Sequence, residues 1–271
     1  MVLSKGCSDP TKPTIINQMQ KKCPSRKSNI PAPLEIQYNA PRASIQYETF
    51  VQCLRTLEPK VAPGPGGLRN EHLTSLLSND RSWYFYVRYT SCSLTVLNKL
   101  DPSELQENET MDCCPVMKGN NLQKLITKAL LKPFKQDIID TTKPTQFASG
   151  DPAGGSQLVY GIQLAMEANP SFCLISLDIK NAFNEIRRDK IFERIWGDEK
   201  SNELWYYFWR IKMPYSYIGL GSGEKMQRAP FLCEEGEQQG AIESMPLFNI
   251  GIDNCLQKSH NKILEHGGAV M

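Results

Sequence analysis

A carboxylate followed by an aromatic side chain marks the part of this chain best suited to chemistry. Asp178 directly follows the apolar run 172–177, and Phe183 comes five residues later. The run has the length and composition of a short buried strand. An acidic side chain held at the end of such a strand is a suitable ligand for a hard cation such as Mg²⁺. About sixty residues on, the sequence Gly-Glu-Gln-Gln-Gly at 236–240 forms a second candidate site.

Each of these residues also has an ordinary structural interpretation. Taken alone, Asp178 is compatible with a turn or a helix cap, and Phe183 with a core aromatic. Gln239 and Gly240 are compatible with a turn that precedes a helix. The order of motifs along the chain must therefore decide between these interpretations.

The elements that must position these residues predict an α+β fold. Residues 121–134 have apolar side chains at helical spacing, and Asn120 or Asn121 can cap this helix. Residues 215–233 predict two strands with a turn at 221–223. Further helices are predicted over 68–77, 83–100, 187–196, 202–212 and 243–260, and after the loop 150–156. Strands and helices alternate without a regular βαβ repeat, which favours α+β over α/β.

The composition is that of an ordinary globular protein. Of 271 residues, 40% are hydrophobic and 22% are charged, values typical of a chain that buries a core. No apolar run is long enough to span a membrane, and residues 1–13 lack the apolar centre of a signal peptide. The nine cysteines include no Cys-x-x-Cys pair. They predict reduced, mostly buried thiols in an intracellular protein, with nucleus and cytoplasm not distinguished.

The chain divides into three predicted regions. Residues 1–42 form an arm rich in Pro, Ser, Lys and Gln, which we predict to be disordered. Within residues 1–30, six Lys and Arg side chains oppose Asp9 alone. Such an arm can bind phosphates, although its composition favours a solvated tail. Residues 43–171 and 172–271 are two further regions of mixed structure.

Five motifs in order resemble those of a reverse transcriptase, the RNA-directed DNA polymerase of retrotransposons of the non-LTR type. The resemblance covers residues 62–250. It implies a right-hand polymerase with fingers over 43–171 and part of a βαββαβ-like palm over 172–271. The matching segments are the Pro-Gly-rich fingers opening at 63–73, the fingers helix region at 115–131, a Gly-rich loop at 147–155, the first catalytic motif at 177–183 and the Gln-Gly motif at 236–248.

This resemblance implies template-directed DNA synthesis by two-metal nucleotidyl transfer, with RNA template, DNA primer and deoxynucleoside triphosphates as partners. Asp178 matches the first of three carboxylates that hold Mg²⁺ in the family, and is the implied catalytic residue. The backbone at Ile179 would approach the metal or the triphosphate.

Other implied roles concern the incoming nucleotide. Phe183 matches the family's aromatic steric gate, whose ring leaves no room for a 2′-hydroxyl, and Ala182 matches the small residue beside it. Gln239 and Gly240 match the pair that contacts the nucleotide. Lys118 is the candidate cation for the triphosphate.

The chain departs from the family pattern at two places. Cys114 precedes Pro115 where reverse transcriptases carry an Arg, and Lys118 does not reproduce the geometry of that guanidinium. The family's Asp-Asp hairpin is absent, although 267–271 resembles its lead-in. Since one carboxylate cannot fix two divalent ions, we expect this chain to be inactive alone. We also expect a fragment completed by a further C-terminal segment or a partner chain.

Two other interpretations compete with an active polymerase domain. One is a catalytically silent nucleic-acid-binding remnant of a retroelement, which keeps the groove and loses the chemistry. The other is an interaction domain that resembles the family by chance. In a palm that lacks the Asp-Asp hairpin, the strand 172–177 would lose its neighbour, which makes it a predicted site of pairing or aggregation.

Overall fold

The computed structural model describes residues 6–27, 43–63, 67–75, 92–98, 112–147, 152–212, 216–220 and 227–267. Within these ranges the chain mixes helices and strands, as predicted. None of the helices found there combines the length and the apolar character needed to cross a membrane.

The helices are α1 (Pro13–Lys22), α2 (Tyr47–Arg55), α3 (Asn70–Thr74), α4 (Asn121–Leu131), α5 (Lys135–Thr142), α6 (Gly154–Ala168), α7 (Ala182–Glu185), α8 (Arg188–Trp196), α9 (Trp205–Lys212) and α10 (Ser244–Glu265). The strands are β1 (Cys7–Ser8), β2 (Cys92–Asn98), β3 (Cys113–Gly119), β4 (Ser216–Leu220) and β5 (Gln227–Cys233).

Strand β2 is the centre of the sheet. Along its whole length it pairs antiparallel with β3, from Cys92 opposite Gly119 to Asn98 opposite Cys113. It also pairs antiparallel with β1 near Leu97 and parallel with β4. Because β3 occupies one edge, β1 and β4 share the other edge at its two ends. Strand β5 pairs antiparallel with β4, so the predicted hairpin is confirmed for its two strands.

Helix α1 packs across this sheet. Its Ile15 and Met19 lie one turn apart and are buried with residues of β3, β4 and β5. Pro13 fits the first helical turn, where a missing N–H costs no helical hydrogen bond. The prediction of a disordered arm is therefore wrong for residues 6–27. The basic composition hid a short amphipathic helix whose apolar side chains have a partner elsewhere in the chain.

Two further cores lie between the helices. One joins α8, α9 and α10, and includes the buried side chains of Trp205 and Phe208. The other joins α2, α3 and α4 around Leu54, Leu73 and Leu125. Helix α4 starts as predicted, since the Asn120 side chain accepts a hydrogen bond from the Leu122 amide at 3.0 Å.

Two predicted elements differ from the structure. The helix expected over 83–100 is instead strand β2 at Cys92–Asn98, while 83–91 lies outside the described residues. An apolar run of this length does not distinguish strand from helix, and pairing with β3 decides it.

The strand expected over 172–177 does not form. Residues 173–180 are exposed, with Leu177 at 87% and Ile175 at 75% of full exposure. No backbone hydrogen bond joins residues 173–180 to another part of the chain that the structure describes. A strand needs a neighbour to satisfy its backbone groups, and none of the described strands lies against this segment.

Candidate nucleotide site

Three segments far apart in sequence meet at the turn 237–240. The Glu237 amide donates a hydrogen bond to the carbonyl oxygen of Phe183 at 2.6 Å. The Met117 amide, in β3, donates to the carbonyl oxygen of Gln239 at 2.8 Å. These two bonds bring Phe183, the turn 237–240 and strand β3 together at one place.

Two glycines make this meeting possible. Gly240 has a φ of 97°, and a Cβ there would lie 2.8 Å from the Met117 carbonyl oxygen. Gly236 has a φ of 70°, and a Cβ there would lie 2.2 Å from the Asn184 carbonyl oxygen. Both positions combine a left-handed backbone with a close backbone contact, which only glycine accommodates. In the structure, the close backbone neighbour of Gly240 is strand β3.

The side chain of Gln239 lies against β3. The Cys114 thiol donates a hydrogen bond to Gln239 Oε1 at 2.7 Å, and both residues are half-buried. Under the resemblance to reverse transcriptases, Cys114 stands at the position of an Arg. That departure is in direct contact with Gln239. The backbone of Lys118 pairs with Ser93 in the same sheet, but its side chain lies outside the described part of the structure.

Phe183 is half-buried in helix α7. Its ring stacks on Phe248 of α10, with ring centroids 4.6 Å apart and an interplanar angle of 18°. Ala182 begins this helix and Asn181 precedes it with a φ of 58°. The Asn181 side chain donates hydrogen bonds to the Lys22 carbonyl and to Glu185, each at 3.3 Å. These contacts hold the backbone at Asn181 and the ring of Phe183 in place.

A buried ionic cluster stabilises the turn 237–240. Lys212 Nζ lies 2.7 Å from Glu237 and 3.0 Å from Glu243, and all three side chains are buried. The Ser244 hydroxyl donates to the Gln238 carbonyl at 2.6 Å and contacts Glu237 at 3.2 Å. Burial acts to lower the pKa of Lys212, but the two carboxylates outweigh it and hold that pKa above its usual value. Burial also raises the pKa of Glu237, against the attraction of Lys212.

Arg188 holds the chain segment that leads into the turn. Only 1% of this residue is exposed. Its guanidinium donates to the carbonyls of Gly236 at 2.9 Å, Lys212 at 2.7 Å and Glu234 at 3.0 Å. Its backbone amide donates to Glu235 Oε1 at 2.7 Å. A guanidinium carries five donors in a fixed plane, which suits a site made of several carbonyl groups.

Sequence reasoning missed this support entirely. Arg188 occurs in a charged stretch that resembles a solvated helix surface, and Lys212 follows an aromatic run in which a lysine would be expected to point to solvent. Glu235 belongs to the same support, as a buried hydrogen-bond acceptor for the amides of Arg188 and Lys27.

Asp178 and Ile179 lie apart from this packing, on the exposed segment described above. Ile179 is 63% exposed, and Asp178 is exposed as well. Across the described ranges, no group of three or more His, Cys, Asp or Glu side chains is arranged to hold a metal ion. The described residues therefore offer Mg²⁺ one accessible carboxylate from the predicted motif, which does not amount to a complete magnesium site.

No protein-family model matches this chain. A search of curated proteins also gives no match.

Proposed function

We propose that this chain is the nucleotide-binding and template-binding part of a reverse transcriptase domain from a non-LTR-type retrotransposon. Its partners are then an RNA template, a DNA primer and deoxynucleoside triphosphates. The observation that carries this proposal is the pair of backbone hydrogen bonds that join Glu237 to Phe183 and Gln239 to Met117. Motifs that resemble three nucleotide-contacting segments of one family lie side by side, although more than fifty residues separate each from the next.

The residues assigned to the nucleotide have separate tasks in this proposal. Phe183, braced by Phe248, presents a flat ring that excludes a ribose 2′-hydroxyl. Gln239 supplies an amide beside β3, at the position from which the family contacts the nucleotide. The buried Lys212 and Arg188 hold the turn rigid rather than touching the ligand, since both are almost wholly inaccessible to solvent.

Catalysis by this chain alone is not part of the proposal. The described residues do not form a complete magnesium site, so the metal-dependent chemistry needs carboxylates from elsewhere. Purified chain should therefore give no primer extension above background with Mg²⁺ present. Extension that depends on this chain would overturn that expectation.

Nucleotide binding tests the proposal directly. Titration of the chain with a fluorescent deoxynucleoside triphosphate, in the presence of primer–template, should give saturable binding. Gln239→Ala should weaken it by about tenfold, the loss of one good polar contact. Gln257→Ala is the matched control, because Gln257 lies on α10 with its side chain on the Lys143 carbonyl at 3.4 Å. Equal affinities for both variants, or no saturable binding, would contradict the proposal.

A silent nucleic-acid-binding remnant is the second candidate function. The observation that favours it is Cys114, which replaces the family's Arg and contacts Gln239 instead of a phosphate. This candidate predicts salt-dependent binding of primer–template duplex with no saturable nucleotide binding. The same titration, run with and without triphosphate, separates the two.

A further inference from the structure

Two buried cysteines from opposite ends of the described chain lie in contact. Cys23 ends helix α1 and Cys233 is the last residue of strand β5. Both belong to the core that α1 forms with the sheet, with exposures of 6% and 1%. The Cys23 thiol donates a hydrogen bond to the sulfur of Cys233, and neither residue forms a disulfide in this structure.

The surroundings of this pair favour a thiolate at Cys233. The hydrogen bond from Cys23 holds the pKa of Cys233 below its usual value, against the effect of burial. Arg188 and Lys212 act in the same direction, whereas Glu237 opposes them. In the thiol form, Cys233 donates a hydrogen bond to the Glu235 carbonyl at 3.7 Å, which the thiolate gives up. An activated sulfur beside a second thiol is the arrangement that thiol–disulfide exchange requires.

Of the two cysteines, Cys23 is the one that lines a cavity. A cavity of about 650 Å³ opens beside Cys23, between the end of α1 and strand β5. Its walls include Lys21, Pro24, Phe231 and Glu234, so it offers one group of each charge and an apolar face. A small peptide disulfide carries both carboxylate and ammonium groups, which these walls can pair.

We propose that Cys23 and Cys233 form a reversible redox site, at which a small disulfide such as oxidised glutathione converts the two thiols into an intramolecular disulfide. Cys23, which lines the cavity, attacks one sulfur of glutathione disulfide, loses its proton to solvent and releases one reduced glutathione. Cys233 then attacks the Cys23 sulfur of the mixed disulfide and expels the second glutathione. Two protein thiols are oxidised and one glutathione disulfide is reduced to two thiols, so atoms and electrons balance. The product fastens α1 to the end of β5.

Peptide mapping of the whole chain tests this site. The protein is incubated with glutathione disulfide, blocked with an alkylating reagent, digested and analysed by mass spectrometry without reduction. We expect a loss of about 2 Da from the chain, and one linked peptide pair containing Cys23 and Cys233. Dithiothreitol should remove the link. A stable glutathione adduct at Cys23, or both cysteines recovered alkylated, would overturn the proposal.

Variants and stability give an independent readout. Cys23→Ser should abolish the link, whereas Cys255→Ser, which changes an exposed cysteine on α10, should leave it intact. The link closes a loop of more than two hundred residues, so oxidised protein should melt roughly 5 °C or more above reduced protein. If the Cys23→Ser variant does not fold, the peptide map of the unaltered chain still tests whether the disulfide forms. An unchanged melting temperature on formation of the link would show that it does not fasten α1.

Discussion

Lys212 Nζ lies 2.7 Å from Glu237 in a place that water does not reach. The ammonium also lies 3.0 Å from Glu243, so it compensates two buried carboxylates. Breaking one member of a buried ionic cluster leaves an unpaired charge in the interior. Since the turn 237–240 rests on this cluster, its integrity sets the geometry of the whole candidate site.

Lys212→Met should destabilise the fold strongly. The change keeps the length of the side chain but leaves two carboxylates without their cation. We expect the free energy of unfolding in urea to fall by about 3–5 kcal/mol. Lys258→Met, which removes an exposed charge from α10, is the matched control and should change it by less than about 0.5 kcal/mol. A loss in the Lys212 variant no larger than in the control would mean that the cluster does not support the fold.

The same variant should respond to pH between 8 and 5, a range in which Lys212 of the parent protein keeps its charge. The pKa of Lys212 is raised in the folded state, so its stabilising effect is complete below the ordinary value of 10.5 and is lost as pH rises through the higher folded value. Burial raises the pKa of Glu237, so protonation lessens the cost of burying it. Lys212→Met should therefore gain stability as pH falls from 8 to 5. Urea titrations at both values check this, and a variant that loses stability on acidification would contradict it.

Gly240→Ala should disrupt the contact between the turn and β3. The new methyl group would meet the Met117 carbonyl at 2.8 Å, and alanine disfavours the φ of 97°. We expect a loss of about 1–3 kcal/mol in the free energy of unfolding, together with weaker nucleotide binding. Gly155→Ala is the control, because no atom lies within 4 Å of the added methyl in helix α6. That control should be neutral or slightly stabilising.

Phe183→Ala should change sugar selectivity rather than overall affinity. Removing the ring takes away the stack on Phe248 and opens space where a 2′-hydroxyl would lie. We expect affinity for ribonucleoside triphosphates to rise toward that for deoxynucleotides, in competition titrations against one fluorescent nucleotide. Deoxynucleotide binding is the internal control and should change by less than about threefold. If the variant still binds ribonucleotides as weakly as the parent chain does, Phe183 is not the sugar gate.

Leu177→Lys should reduce self-association. The exposed segment 173–180 combines apolar side chains with backbone groups that lack a described partner, the properties of an open strand edge. Sedimentation velocity over a range of concentrations should show larger species for the parent chain and fewer for the variant. Glu167→Lys alters a nearby exposed charge without removing apolar surface, so it should not have this effect. A parent chain that stays monomeric at all concentrations would contradict the prediction.

Sequence reasoning succeeded where an element is defined by its own side chains. The apolar spacing and Asn120 cap of α4, and the two strands β4 and β5, are local patterns. It failed where a distant partner decides the outcome. Strand β2 resembles a helix until β3 is present, and helix α1 resembles a disordered tail until the sheet covers Met19.

The candidate site shows the same division. The Gln-Gly motif and Phe183 were found from their order along the chain, and the structure brings their backbones together. The strand expected before Asp178 was inferred from apolar composition, which reports suitability for burial but not the presence of a neighbour. The burial of Arg188 could not be predicted, because the neighbouring residues in the sequence do not distinguish a buried arginine from a solvated one.

Strand β4 pairs with the same edge of β2 as β1 does, although more than a hundred residues separate β2 from β4 in the sequence. During synthesis on the ribosome, part of this edge of β2 therefore stays unpaired until residue 220 has emerged. Contacts of such long sequence separation slow folding. Until β4 is available, this part of the strand edge is open to incorrect pairing, as in other partly folded chains.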